Sequence, residues 1–136
     1  MPKPNVADTL FVLDASALLA AFFDEPGADV VAERMSGALM SAVNLSEVVA
    51  KLIDRGASPD QIAEIIAELD IDIVAQDRSQ AMTAGLLRKG TRSSGLSLGD
   101  RACLALAIDR KAVALTGDRA WVALAEPLNV EVVAIR

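Results

Sequence analysis

Short apolar runs of strand length alternate with helical periodicity along the whole of this 136-residue chain. The run at 10–13, Leu-Phe-Val-Leu, has no polar alternation, as a strand buried on both faces requires. Further strands are expected at 38–43, 71–75, 112–116 and 130–135. Helices are expected between them at 15–22, 28–35, 44–55, 76–89, 99–110 and 119–125, with one more opening at Ser58-Pro59. Such alternation implies an α/β fold with a mostly parallel sheet of about five strands and right-handed crossovers.

Local signals support these assignments. Leu45, Val48, Val49, Leu52 and Ile53 fall on one helical face, and Gly56 stops that helix. Ser58 and Pro59 suit the N-cap and N1 positions, ahead of an apolar stripe of Ile62, Ile65, Ile66 and Leu69. Gly37 closes the 28–35 helix, Gly90 ends the 76–89 helix, and Pro127 stops the 119–125 helix. Residues 91–95 form a basic, Ser-rich loop. Residues 1–136 are expected to be a single domain with a short tail at 1–9.

The 99–110 segment is apolar from Ala102 to Ile108, yet it opens with the carboxylate of Asp100. Three other acids stand at comparable seams. Asp14 follows the first strand directly, Asp118 follows the fourth after one Gly, and Glu47 lies one helical turn beyond Asn44. In open α/β sheets, ligands bind beyond the carboxyl ends of the strands, and all four acids are expected at that edge. Each also has a local explanation. Asp14 and Asp118 suit N-caps, while Asn44-x-x-Glu47 and Ser97-x-x-Asp100 have capping-box spacing. Caps need not converge. Unpaired carboxylates that do converge repel one another, and a bound cation removes that cost.

The chain has no His and a single Cys, Cys103, inside the apolar helix. This excludes His bases, Ser-His-Asp triads, His-ligated metals and intrachain disulfides. Catalysis would use carboxylates, hydroxyls, Lys, Arg or an oxygen-held ion such as magnesium, manganese or calcium. Magnesium at four carboxylates suits phosphodiester hydrolysis. Ser16 and Thr116 stand beside two of the acids and could hold a water or a phosphate, or serve local backbone bonding. Arg101 and Arg119 each follow an acid and could meet a phosphate or stay solvated. The net charge of −6 argues against a broad basic nucleic-acid face. No run approaches the length of a membrane span, and no apolar leader is seen, so a cytoplasmic protein is expected.

Four segments, Val12-Leu-Asp14-Ala-Ser16, Ser41-Ala-Val-Asn44-Leu-Ser-Glu47, Gly95-Leu-Ser-Leu-Gly-Asp100-Arg-Ala and Leu115-Thr116-Gly-Asp118-Arg-Ala-Trp121, resemble those of the PIN-domain ribonucleases. More narrowly, they are similar to the VapC toxins of bacterial toxin–antitoxin pairs, over about residues 10–136. The resemblance implies a PIN-like three-layer sandwich and a Mg2+- or Mn2+-dependent endoribonuclease. It implies Asp14, Glu47, Asp100 and Asp118 as catalytic acids, with Asp14, Asp100 and Asp118 as metal ligands and Ser16, Asn44 and Thr116 as polar support. It further implies an RNA substrate, often tRNA or rRNA, a homodimer, and a cognate antitoxin that blocks the site. Lys51, Arg55, Arg88, Lys89, Arg92, Arg101 and Arg119 are then candidates to contact RNA. Gly117 stands where family members often carry Ala, a harmless difference on this view.

Two other classes compete. A receiver-like, magnesium-binding signalling domain would want paired early acids and a Lys after a late strand, and the chain has neither. A non-catalytic interaction module could use the stripe of Ile62, Ile65, Ile66 and Leu69 as a partner groove.

Overall fold

The computed structural model describes residues 9–136, so the expected tail lies outside the described residues except for Thr9. The sheet contains β1 (Phe11–Leu13), β2 (Ala38–Ser41), β3 (Ile71–Val74), β4 (Val113–Thr116) and β5 (Glu131–Ala134), in the order β3-β2-β1-β4-β5. All four pairings are parallel. The expected α/β fold with a parallel, five-stranded sheet is therefore observed. Parallel strands need long crossovers, and these supply α1 (Ala15–Phe22), α2 (Ala28–Arg34), α3 (Ala42–Asp54), α4 (Pro59–Ala67), α5 (Arg78–Leu86), α6 (Arg88–Thr91) and α7 (Leu98–Arg110). A 3-10 turn over Arg119–Leu124 and the short α8 (Ala125–Leu128) join β4 to β5.

β1 lies at the centre, and its alternating side chains found both halves of the core. Phe11 and Leu13 join a cluster with Leu18, Val31, Met40, Val48, Leu52 and Leu115, under α1 to α4. Val12 points the other way, into a cluster with Leu39, Cys103, Leu104, Leu106, Ala114 and Trp121, under α7. The period of two along a strand thus produces helices on both sides of one sheet. The stripe on α4 divides: Ile62 is buried, while Ile65, Ile66 and Leu69 are half-buried.

Side-chain caps set four of the eight α-helix starts among the described residues. Ser58 and Gln61 form a complete capping box, with Pro59 in the first turn of α4. Ser97 and Asp100 form another at α7, with Ser97 N donating to Asp100 Oδ2 at 2.9 Å and Asp100 N to Ser97 Oγ at 3.1 Å. The expected start of α3 needs correction. Its cap is Ser41, whose Oγ accepts from Val43 N at 3.2 Å, so β2 ends at Ser41 and Asn44 already lies within the helix. Asn44 is therefore free for a role other than capping.

Four further boundaries differ from expectation. Asp77 caps α5 by accepting from Gln80 N at 2.9 Å, which starts the helix two residues late. Gly90 does not end that helix. α5 stops at Leu86, Gly90 lies within α6, and the expected loop is partly helical, with a 3-10 turn over Arg92–Ser94. Thr91 is buried there, and its Oγ1 donates to Leu87 O at 2.7 Å. Pro127 does not stop a helix either. It sits in the first turn of α8, where its missing N–H would have no intrahelical partner. Lastly, α2 ends at Arg34, and Gly37 instead enters β2, with its N–H bonded to Asp70 O at 2.8 Å.

Candidate active site

Asp14 leaves the C-terminal end of β1 and occupies the N-cap position of α1 without making a side-chain cap bond. Its side chain is held instead by two hydroxyls. Ser16 Oγ donates to Asp14 Oδ2 at 2.7 Å, and Thr116 Oγ1 donates to the same oxygen at 3.0 Å. Both hydroxyls also accept, Ser16 Oγ from Gly117 N at 2.9 Å and Thr116 Oγ1 from Asp118 N at 3.0 Å. The ends of β1 and β4 are thereby stitched together around one carboxylate. Asp14 and Thr116 are buried, at 5% and 0% exposure.

Glu47 is placed by a second polar unit. Asn44 Nδ2 donates to Glu47 Oε1 at 2.9 Å and to Gly99 O at 3.0 Å. Gly99, the residue before Asp100, lies so close to Glu47 that any Cβ there would overlap its carboxylate. Asn44 is fully buried, and its Oδ1 has no hydrogen-bond partner among the described residues. Asp100 keeps the capping role described above while its side chain is only half-buried. Capping and facing the site are thus compatible for this residue.

Asp14, Glu47 and Asp100 line one cavity of about 420 Å³, together with Ser16, Leu19, Lys51 and Asp54. The electrostatics agree with this convergence. Burial pushes the Asp14 carboxyl up to about 6, the Ser16 hydroxyl pulls it down, and the Asp100 charge raises it further. Cys103, fully buried behind the site, has its thiol pushed well up, first by burial and then by Asp14, Asp100 and Glu47. Its role is that of a small apolar side chain.

Asp118 does not line the cavity. It lies at the same sheet edge but is exposed, and its Oδ1 accepts from Ala120 N at 3.0 Å to cap the following 3-10 turn. Among the described residues, no three carboxylates enclose a cation by themselves. The donor set still fits magnesium or manganese, which keep several waters and use one or two carboxylates. Every polar group lining the cavity other than Lys51 offers oxygen, and the raised Asp14 carboxyl marks a place where positive charge is favoured.

The basic candidates scatter. Lys51 alone lines the acid cavity. Arg55 lies 4.2 Å over the Phe23 ring and lines a separate apolar hollow with Leu52 and Ile65. Arg101 NH1 donates to Ala84 O at 3.1 Å, fastening α7 to α5. Arg88, Lys89, Arg92 and Arg119 are exposed.

Two residues at the site went unread in the sequence. Asp54 lies on the same face of α3 as Glu47, seven positions on, and that helical spacing was the available signal. Arg136 directly follows the last expected strand. Its NH1 donates to Pro26 O at 3.1 Å, and its NH2 lies 2.9 Å from where a Gly117 Cβ would be. No local pattern announces such a contact.

A family model described as PIN domain matches residues 11–127. No curated protein matches the chain. Solved structures do. A chain of a toxin–antitoxin complex from Klebsiella pneumoniae is 20% identical, with a TM-score of 0.72 over 95% of this chain and 98% of that one. A chain of the toxin–antitoxin system VapBC-5 from Mycobacterium tuberculosis is 23% identical, with a TM-score of 0.60 over 93% and 98%. VapC20 of the same organism, described as a Sarcin-Ricin loop cleaving toxin, is 16% identical, with a TM-score of 0.67 over 84% and 94%.

Proposed function

The chain belongs to the PIN-domain family, and on that premise we propose that it is a metal-dependent endoribonuclease acting as the toxin of a toxin–antitoxin pair. The observation that carries this proposal is the meeting of Asp14, Glu47 and Asp100 on one cavity, in a chain that has no His to offer. The names of the similar structures support it, since two come from toxin–antitoxin systems and one is described as a Sarcin-Ricin loop cleaving toxin.

Asp14 and Asp100 would hold a Mg2+ or Mn2+ ion, with Glu47 facing it. The ion supplies polarisation of a phosphoryl oxygen and acidification of a bound water. Ser16 and Thr116 keep Asp14 Oδ2 fixed and so aim the rest of the carboxylate at the cavity. Asn44 keeps Glu47 from swinging away. Lys51 offers a positive charge for a phosphate entering the acid-lined space. Asp118 would take part by turning from the Ala120 amide.

The substrate in this proposal is a tRNA or ribosomal RNA, cleaved by a homodimer. A cognate antitoxin occludes the site. The test is direct. Protein purified free of any partner is incubated with labelled RNA in magnesium, in manganese and in chelator. Cleavage with either ion that stops in chelator supports the proposal, and equal cleavage in chelator refutes the metal mechanism.

A further inference from the structure

The acid cavity has one cation, Lys51, on its α3 side, and α3 follows β2. Across β1, the sheet continues to β4 and β5, and beyond β5 stands Arg136. Its guanidinium is packed over the bare backbone of Gly117. A Cβ at that position would be 2.9 Å from Arg136 NH2 and 3.2 Å from Ser16 Oγ, so both groups crowd the same point. Ser16 Oγ is in turn 2.7 Å from Asp14 Oδ2. The charge is therefore one hydroxyl removed from the central carboxylate.

Arg136 is anchored but not neutralised. Its single hydrogen bond goes from NH1 to Pro26 O, and among the described residues it has no carboxylate partner. Arg136 as a whole is exposed, and its guanidinium carries the planar fork suited to phosphate. The contact also explains Gly117, whose φ is not in the left-handed range and whose lack of a side chain therefore has no conformational cause.

We propose that Arg136 is a phosphate-binding residue for the RNA strand at this site, admitted there by Gly117. It would hold the phosphodiester backbone on the β4–β5 side while Lys51 meets it on the α3 side. The proposal rests on the nuclease reading given above. It gives an acidic chain a local cationic contact where its net charge gives none.

The test uses the full chain and a labelled single-stranded RNA oligonucleotide. Binding is measured over a salt series in chelator, and cleavage kinetics are measured with magnesium. Arg136→Gln is expected to raise KM about fivefold with kcat nearly unchanged, and to reduce the slope of log affinity against log salt by roughly 0.7, one phosphate contact on a single strand. Arg136→Lys should restore the slope. Gly117→Val, which pushes the guanidinium aside without removing it, should resemble Arg136→Gln. An unchanged slope in Arg136→Gln, or a defect that Arg136→Lys shares in full, makes Arg136 a structural clamp and overturns the proposal. So does wild-type protein that binds no RNA at any salt. Wild-type protein that binds RNA with the expected Arg136-dependent slope but never cleaves it defeats the nuclease reading and leaves the phosphate contact standing.

Discussion

One amide group of Asn44 serves both Glu47 and Gly99, at 2.9 and 3.0 Å, and so ties the acid of α3 to the first turn of α7. Of the four carboxylates that line the cavity, Glu47 and Asp100 are thus tied to one another through a single buried side chain. Asp14 depends on the Ser16 and Thr116 hydroxyls instead.

Removing that amide tests the tie. Asn44→Ala removes a side-chain donor from the Gly99 carbonyl and opens a small void at a fully buried position. We expect a loss of about 2 kcal/mol of stability, read as a lower midpoint in urea at unchanged slope. RNA cleavage should fall as well, because Glu47 is released.

Gly99→Ala addresses the same carboxylate from the other side. The added methyl group would occupy the place of the Glu47 carboxylate and force that side chain out. Cleavage is expected to drop by about a hundredfold, as misplacing a reacting group by an ångström can do. Circular dichroism should stay close to wild type, since Glu47 is a partly exposed, flexible side chain that can move aside.

Asp14 makes stability depend on pH. Its carboxyl is raised from the usual 3.8 to about 6, chiefly by burial. The folded state therefore holds this proton more tightly than the unfolded chain does. Metal-free protein should lose stability as pH rises from about 4 to above 6, by about 3 kcal/mol in all. Urea unfolding in chelator at a series of pH values measures this. Asp14→Asn should flatten the profile and be the more stable protein at pH 7.

The carboxylates should rank by position. Magnesium is expected to raise the melting temperature of the wild type in proportion to the logarithm of its concentration. Asp14→Asn or Asp100→Asn should abolish both that rise and RNA cleavage. Asp118→Asn, altering a group outside the cavity wall, should keep most of the thermal shift. If Asp118→Asn abolishes the shift as completely as Asp14→Asn, the cavity described here is not the whole ion site.

The sheet was readable because its strands are short apolar runs with turn signals on both sides, and β1 is the clearest case. Asp14 and Asp100 were readable for a related reason, as charges at the edges of apolar segments. Sequence left Asp118 as either a cap or a ligand, because both place the same demand on an Asp at a strand end, and the structure shows the cap. Gly90 misled because helix termination depends on what the chain meets next. Here Thr91 is drawn into the interior and the helix path continues. Arg136 was invisible because its neighbours, Pro26 and Gly117, are remote in sequence.

β1 carries three residues, splits the core with them, and is followed at once by Asp14. Inserting or deleting one residue there would turn every side chain of the strand to the opposite face and carry the acid away with it. Such a frame error would collapse the packing before any question of chemistry arose. Changes that silence the site yet leave a folded protein able to meet its partners are therefore confined to replacing side chains.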